Sequence, residues 1–433
     1  MLRIGASKVD ITPPVGVPLG GYVSRASPSK GIHDPLYARA MVLRTESYSV
    51  ALVSLDLLGV TREITEKARS IVSELSGIPS SAILIAATHT HSGPSVLGIH
   101  SCEKDLMTRD YLRALPGYIA SAILQADSRC KEARVGFAKG TIRGWVVNRR
   151  NPTKGPVDEE ILVMRAEDKE ERLISAIVNF TCHGVVLGHN NLLISADYPG
   201  YVSRAIESTE GGVSLFLNGA CGDINPLTPR TILERVYDRS IGTFSEARKM
   251  GFSIGGEALK LMNSIKQYHE EIELRSATKE IELPLQPLPE VSAESLDKLR
   301  KEYTHLLRAG KTREARNLRI KISLMEWLQK ARRVAKGRTI SIEIQAIRIG
   351  DLAILGIPGE PLVEIGLHIK KESAAPYTMV VGYANDIVGY IPTERALREG
   401  GYEATPPACI LGSGTEERIV NAALKLIESL FSA

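Results

Sequence analysis

Short apolar runs rich in β-branched residues alternate along this chain with segments in which apolar residues recur every three or four positions. Two such runs, residues 49–55 and 82–87, flank a segment of helical periodicity at residues 63–76. Short buried runs are typical of strands, and a period near 3.6 is typical of an amphipathic helix. This part of the chain therefore predicts a β-α-β unit.

The same alternation continues through the rest of the chain. Further strands are predicted at residues 173–180, 213–217, 340–349, 352–357 and 378–382. Further helices are predicted at residues 198–208, 245–264, 361–372 and 416–430. The pattern indicates an α/β (mixed α+β) fold with a large mixed β-sheet core flanked by helices.

One segment, residues 290–337, differs from the rest because it is rich in Lys, Arg, Glu and Leu. It follows a proline-rich stretch that ends at Pro289, and a turn signal at Ala309 and Gly310 divides it. We predict a charged helical hairpin inserted into a single α/β domain formed by residues 1–289 and 338–433. A solvated surface extension is the simplest interpretation, and a substrate lid or a dimerisation arm is the alternative.

Composition places the chain among globular proteins and makes a small substrate the better expectation. The 433 residues are 43% hydrophobic and 24% charged, and a net charge of +4 gives little reason to expect nucleic acid. No apolar run reaches the roughly 18 residues that a membrane span needs, and the start of the chain lacks the pattern of a secretory signal. We expect a cytoplasmic protein, with an oligomer possible. The cysteines show no paired spacing, which suits a reducing compartment: Cys102, Cys130, Cys182, Cys221 and Cys409.

The motif ATHTHSGP, residues 87–94, is the strongest chemical signal. If the strand geometry continued, His89 and His91 would face the same side about 7 Å apart. His183 stands at a similar place, where the run AIVNFTCHG gives way to Gly184. Histidines at strand ends favour a metal site, the alternative being a pair of hydrogen-bonded core histidines.

Polar residues follow several other predicted strands at the point where the apolar run ends. Asn218, Asp223 and Asn225 follow one strand, Glu360 a second and Asn385 a third. Sheet proteins form sites at such an edge, so we predict that Asp223, Asn218 and Asn385 bind substrate. Glu360 also has a simpler interpretation as a carboxylate favoured in the first turn of the next helix.

Imidazole and carboxylate groups without cysteine suit one Zn2+ ion per chain, and Mn2+ or Fe2+ is not excluded. A zinc ion in such a site activates water for attack on a carbonyl or phosphoryl centre. The residues alone thus predict a metal-dependent hydrolase.

Taken together, the motifs resemble the neutral/alkaline (non-lysosomal) ceramidases, zinc amidases that cleave the N-acyl bond of ceramide. The resemblance extends over most of the chain. Its order and spacing are specific, and it rests on these segments: VDITPP, GGY at 20–22, GIHDPLYARAMVL at 31–43, VSLD at 53–56, ATHTHSGP, CHG, GDINP, IPGE and GYIPTERALREGGYEA.

The resemblance implies a role for individual residues. It implies a zinc shell made of His89, His183, Glu360 and Tyr390. It also implies four residues that act on the substrate beside the metal: His91, Arg149, Asn225 and Tyr402. In this arrangement His91 is an acid/base or oxyanion-stabilising group and is not a ligand.

Three departures from the family pattern modify the expected substrate: the residue at position 225, the shorter chain and the lack of a secretion signal. Asn225 stands in GDINP where the family has a serine, and an amide cannot act as a hydroxyl nucleophile. The chain is also expected to be a shorter, divergent and intracellular member with only the catalytic N-terminal domain of the family. We therefore expect a small-molecule or lipid-like acyl amide, and the particular amide stays open.

The sequence predicts a zinc-dependent hydrolase in which metal-activated water cleaves an amide (N-acyl) bond. A metal-dependent esterase or phosphoesterase on the same scaffold is one alternative. A second is an amidohydrolase barrel, in which His91 would also bind the metal. A third is a non-catalytic protein that keeps the scaffold and a structural metal.

Overall fold

The structure is a computed structural model, and it describes residues 1–25, 27–97, 106–334 and 337–432. Cys102 lies outside the described residues. The strands of the described part are β1 (Arg3–Asp10), β2 (Gly31–Ile32), β3 (Tyr37–Arg44), β4 (Ser49–Leu55), β5 (Ile83–Ala87), β6 (Lys131–Glu132), β7 (Arg134–Thr141), β8 (Val146–Asn148), β9 (Glu160–Glu167), β10 (Leu173–Phe180), β11 (Leu193–Ile194), β12 (Val213–Asn218), β13 (Ile224–Pro226), β14 (Leu274–Pro284), β15 (Thr339–Ile349), β16 (Leu352–Gly356), β17 (Glu360–Pro361), β18 (Tyr377–Val381) and β19 (Tyr390–Ile391).

Helices connect and cover these strands. In chain order the α-helices of the described part are α1 (Arg62–Ser76), α2 (Leu106–Ser128), α3 (Asp197–Glu210), α4 (Phe244–Ser264), α5 (Ala293–Arg308), α6 (Thr312–Val334), α7 (Val363–Glu372), α8 (Glu394–Glu399) and α9 (Thr415–Phe431).

Three mixed sheets make up most of the strand structure. Their strand orders are β5-β4-β3-β1-β6, β12-β10-β9-β7 and β14-β15-β16-β18. Each sheet is mainly antiparallel but contains one parallel pair. This pair is β4 with β5 in the first sheet, β10 with β12 in the second and β16 with β18 in the third. A parallel pair needs a crossover connection, and here the helices α1, α3 and α7 supply it. Each of the three sheets therefore contains one β-α-β unit.

Amphipathic patterns explain how the helices attach to these sheets. In α1 the buried residues include Ile64, Ala68 and Val72, which are spaced by four and therefore share one face. The helix ends at Gly77, whose left-handed φ of 73° is costly for residues with a side chain. One buried core joins the first two sheets with α1 to α4, and a second core lies between the third sheet and α9.

The mixed α/β class predicted from the sequence is confirmed. The expected large sheet is divided into three principal sheets, because burial patterns reveal which face of a strand is covered but not where a sheet ends. Two helices, α5 and α6, occupy the predicted hairpin between β14 and β15. Within the described part, every helix is too short or too polar to cross a bilayer.

Candidate metal centre

Three histidines converge where strands of two different sheets end. His89 and His91 follow β5, and His183 follows β10. A ring nitrogen from each lies within 4.8 Å of a ring nitrogen of the other two, and all three side chains are buried. The convergence predicted from the strand ends is therefore present in the structure.

The backbone reaches this arrangement by leaving the strand rather than continuing it. β5 ends at Ala87, and His89 has a φ of +66°, which is rare for a residue other than glycine. The expectation that His89 and His91 alternate along a continued strand was wrong. The turn places their Nε2 atoms 3.0 Å apart. Such a backbone outlier is typical of functional sites.

The two histidine-bearing turns are held against each other by a close backbone contact. Thr90 forms a parallel bridge with Gly184, and the His91 amide donates to the Gly184 carbonyl at 3.2 Å. A Cβ atom at Gly184 would lie 2.6 Å from the His89 carbonyl oxygen. Glycine is therefore required at this point of contact.

Backbone carbonyls orient two of the three imidazoles. His89 Nδ1 lies 2.6 Å from the Leu58 carbonyl oxygen, and His183 Nδ1 lies 2.6 Å from the Cys221 carbonyl oxygen. Since a carbonyl only accepts, each Nδ1 carries the proton and each Nε2 presents a lone pair. This second hydrogen bond is characteristic of metal-binding histidines. His91 lacks it, because its buried Nδ1 has no hydrogen-bond partner within the described residues.

A carboxylate from the third sheet completes the cluster. Glu360 lies in the short strand β17, after β16, with its Oε2 3.4 Å from His89 Nε2 and 3.3 Å from His183 Nε2. β17 pairs in parallel with β19, and this register places Glu360 opposite Tyr390. The pairing brings together two residues that are thirty positions apart in the sequence.

These donors fit a divalent metal ion. His183 Nε2 and Glu360 Oε2 are buried and have no hydrogen-bond partner within the described residues. Lone pairs that face one another without a proton are costly when buried. A cation between them removes that cost. Their separations of 3.3 and 3.4 Å also match the roughly 3.3 Å between ligands of a tetrahedral zinc ion with 2.0–2.1 Å bonds.

The protonation states favour metal binding as well. Burial, together with the nearby Arg149 guanidinium, lowers the pKa of His183 to about 4, so its imidazole is neutral at pH 7. Burial also lowers the pKa of His91 well below its usual value. Burial alone would raise the pKa of Glu360, but the facing imidazoles hold it well below its usual range. The site thus presents the neutral imidazoles of His183 and His91 and the carboxylate of Glu360.

Arg149 organises the polar groups next to this cluster. Its Nη2 donates to the Tyr390 hydroxyl at 2.8 Å, and its Nη1 donates to Asn225 Oδ1 at 3.1 Å. Its Nε donates at 2.7 Å to Glu403, whose side chain is fully buried. Glu403 also accepts from the Tyr237 hydroxyl at 2.9 Å. The hydrogen bonds from Arg149 thus fix the orientation of both Asn225 and Tyr390.

A cavity of about 810 Å³ lies over the cluster. It is within the usual size range of small-molecule sites. Tyr402, on the cavity wall, is about half exposed and packs edge-on against the Tyr390 ring at 5.5 Å. Seven residues predicted to act on the metal or the substrate line this cavity: His89, His91, Arg149, Asn225, Glu360, Tyr390 and Tyr402.

Three residues predicted to bind substrate do not line the cavity, and each is buried and bonded to protein groups. Asn218 donates to the Thr88 and Cys182 carbonyls, which precede His89 and His183. Asp223 accepts from the amide of Val363 in α7 and from Asn148 Nδ2.

Asn385 accepts from the Ile85 amide and donates to Gln345 Oε1 at 2.7 Å. These interactions satisfy the side chains that the sequence assigned to the substrate. Asn218, Asp223 and Asn385 therefore position the turns of the site.

Three residues that support the site were missed in the sequence. Glu403 directly follows Tyr402 in the motif GYEA, so its place in a matched motif was the available signal. The Tyr383 ring stacks on the His89 ring with centroids 3.9 Å apart. Arg25 donates to the His91 carbonyl at 2.8 Å from a segment far away in the chain. Tyr383 follows β18 two residues before Asn385, so that strand end was the available signal, whereas Arg25 lies in a loop and had none.

Known proteins are similar to this chain in sequence and fold. Residues 2–232 match the family described as neutral/alkaline non-lysosomal ceramidase, N-terminal. The neutral ceramidase of Mycobacterium tuberculosis is 24% identical over 93% of this chain and 73% of that protein. The neutral ceramidase of Pseudomonas aeruginosa is 26% identical over 93% of this chain and 68% of that protein. Its crystal structure superimposes with a TM-score of 0.76 at 22% identity, covering 99% of this chain and 74% of that chain, which shows the shared fold.

The fold and the cluster define a class of protein: a mixed α/β protein whose buried histidines can hold a metal ion at the ends of parallel strands. The family match covers more than half of the chain. The chain belongs to the neutral/alkaline ceramidase family, and it is a ceramidase-like hydrolase. The barrel alternative was therefore wrong.

Proposed function

We propose that this protein is a zinc-dependent hydrolase that cleaves an N-acyl amide into an amine and a carboxylate. One observation supports the proposal above all others. His183 Nε2 and Glu360 Oε2 face each other, buried and without a hydrogen-bond partner within the described residues, and His89 Nε2 lies 3.4 Å from the same carboxylate oxygen. His89 and Glu360 line the wall of an 810 Å³ cavity. Such an arrangement is expected of a catalytic metal site, because substrate and water can approach it from one side.

The proposed ligands are His89, His183, Glu360 and Tyr390. The first two have the carbonyl-bonded Nδ1 that orients a ligating imidazole, and His91 does not. Zinc suits imidazole and carboxylate donors, and Mn2+ or Fe2+ could replace it. A bound ion would supply Lewis-acid activation of water and polarisation of the scissile carbonyl.

The remaining groups would handle the proton and the developing charge. The water oxygen attacks the amide carbon, and the carbon–nitrogen bond breaks as the leaving nitrogen gains a proton. His91 Nε2 lies 3.0 Å from His89 Nε2, and burial lowers the pKa of His91 well below its usual value. With His89 Nε2 bound to an ion, His91 Nε2 would lose this partner and would be free to accept the proton of the water and transfer it to the nitrogen. Arg149 orients Asn225, whose Nδ2 has a second hydrogen available for the oxyanion.

The amide is favoured over other substrates because the similar proteins in Mycobacterium tuberculosis and Pseudomonas aeruginosa are neutral ceramidases. Asn225 offers no hydroxyl, so we propose direct attack by water without an acyl-serine step at this position. The substrate is a small-molecule or lipid-like acyl amide. We also propose a cytoplasmic location.

The test is turnover of a panel of N-acyl amides, matched esters and phosphoesters by the native protein. We expect release of amine and carboxylate from the amides, loss of this activity on chelation and its recovery on addition of Zn2+. His183→Ala should abolish it, while His368→Ala, which changes an exposed histidine of α7, should not. Metal-loaded protein that turns over esters or phosphoesters but no amide would refute the proposed substrate class. Inactivity on the whole panel would favour a non-catalytic protein.

A further inference from the structure

The inserted helix α6 forms part of the cavity wall. Ile320, Leu324 and Trp327 line the same cavity as His89 and Glu360. Their spacing of four and three residues places them on one face of the helix. All three are large apolar side chains that remain partly exposed, so this face has apolar surface to cover. The hairpin is thus more than a solvated extension of the surface.

The apolar wall begins next to the metal centre. A methyl group built on Gly389 would lie 3.6 Å from Cζ2 of Trp327, and Gly389 directly precedes Tyr390. Further apolar side chains line the cavity from the rest of the fold: Leu58, Leu97, Ile340, Ile387, Val388 and Ile410. The cavity therefore offers polar groups around the histidines and an extended apolar lining that includes one face of α6.

The hairpin is tied to itself and also to the segment that precedes it, where Arg332 Nη1 donates to the Leu288 carbonyl at 3.1 Å. Arg300 of α5 and Glu326 of α6 form an ion pair of 2.6 Å. Gln329 donates to the Val291 carbonyl at 3.1 Å, at the start of the hairpin. These bonds hold α6 in one position along the cavity. A wall held in place can limit the length of the molecule beside it.

We propose that α6 forms a subsite for an unbranched acyl chain, and that Ile320, Leu324 and Trp327 determine the chain length accepted. The inference rests on the proposed function, since it assigns the acyl part of the same substrate. An acyl amide has a polar scissile group and an apolar chain, which matches the two kinds of lining in this cavity. Burial of the chain against α6 supplies affinity in proportion to the apolar area covered.

The subsite is tested by binding, without turnover, to the metal-depleted protein. The chain has two tryptophans, so Trp145→Phe leaves Trp327 as the only indole reporter on the cavity. We expect straight-chain carboxylic acids, from butanoate to hexadecanoate and below their micelle concentrations, to change its emission. Their Kd should fall by about fourfold for each methylene added until the chain exceeds the subsite.

Variants of α6 then show which residues set the longest acyl chain that the subsite accepts. In the same background, Leu324→Phe should move the limit to shorter chains and leave the Kd of the shortest acids unchanged. Ile320→Ala should weaken binding of the long acids alone. Lys321→Ala is the matched control, because its exposed side chain lies on the same turn of the helix, and its series should superimpose on that of the parent.

Two results would overturn the subsite: a Kd in the parent that does not depend on chain length, or identical series for Leu324→Phe and the parent. These results are distinct from failure of the proposed function, which is measured as metal-dependent amide turnover. A protein that cleaves amides but shows either binding result has the activity without this subsite. A protein that binds long acids as described but cleaves no amide retains the subsite without the activity.

Discussion

Burial sets the protonation state of His183, the fully buried imidazole at the end of β10. In the folded protein its pKa is about 4, against 6.5 for a solvated imidazole. The unfolded chain therefore binds more protons than the folded one between pH 6.5 and pH 4. The free energy of unfolding therefore has its full contribution from neutral His183 above pH 6.5, and it decreases as the pH falls through this interval. The same burial that prepares the nitrogen for a metal makes the metal-free site sensitive to acid.

For the metal-free protein, we predict that His183 reduces the free energy of unfolding by about 3 kcal/mol between pH 7 and pH 4. Urea unfolding at several pH values in the presence of a chelator measures it. Asp197 acts in the opposite direction, because burial raises its pKa to about 6. The quantity to compare is therefore the difference in the free energy of unfolding between the native protein and His183→Asn. Asparagine keeps a donor for the Cys221 carbonyl.

That difference should shrink by about 3 kcal/mol from pH 7 to pH 4, since Asp197 is common to both proteins. His368→Asn, a change at an exposed histidine, is the control and should leave the pH profile as in the native protein. Parallel pH profiles for the native protein and His183→Asn would show that His183 does not titrate in this way.

Turns at strand ends carry the site, and they also set the limit of what the sequence could predict. β4, α1 and β5 were predictable, because local patterns of burial specify each of them. The position of His89 at a strand end was predictable too, but its left-handed backbone was not, because a contact with Gly184 imposes it. The approach of Glu360 to the histidines depends on how three sheets pack, which no local pattern records.

The contact between the two histidine-bearing turns leads to a prediction for Gly184→Ala. The added methyl would lie 2.6 Å from the His89 carbonyl oxygen, so the turns must separate. We expect a loss of about 1–3 kcal/mol in the free energy of unfolding, as is usual for overpacking. Metal affinity should fall as well, because His89 and His183 move apart. Urea unfolding and metal titration measure the two effects.

Gly256→Ala serves as the control for this experiment. Gly256 is exposed in α4, and a Cβ there meets nothing within 4 Å. Alanine should stabilise the helix slightly, by about 0.5–1 kcal/mol, and leave metal affinity as it is. If Gly184→Ala behaved like Gly256→Ala in both measurements, the close contact would not be what aligns the two histidines.

The proposed ligands connect all three principal sheets of the molecule. His89 follows a strand of the first sheet, His183 follows a strand of the second, and Glu360 follows a strand of the third. Each follows the carboxyl end of one strand of a parallel pair, so the three β-α-β units meet around one point. An ion bound there would bond to every sheet at once. Metal binding should therefore act on the stability of the whole fold.

We predict that Zn2+ at 100 times its Kd raises the free energy of unfolding of the chelated protein by about 2.7 kcal/mol, because it binds only the folded chain. Urea unfolding with and without Zn2+ measures this. His89→Ala should abolish the increase, since it removes a ligand with a carbonyl-bonded Nδ1. His91→Ala should keep it, because His91 lacks that bond. Equal loss in both variants would instead place all three histidines on the metal and leave the proton transfer to another group.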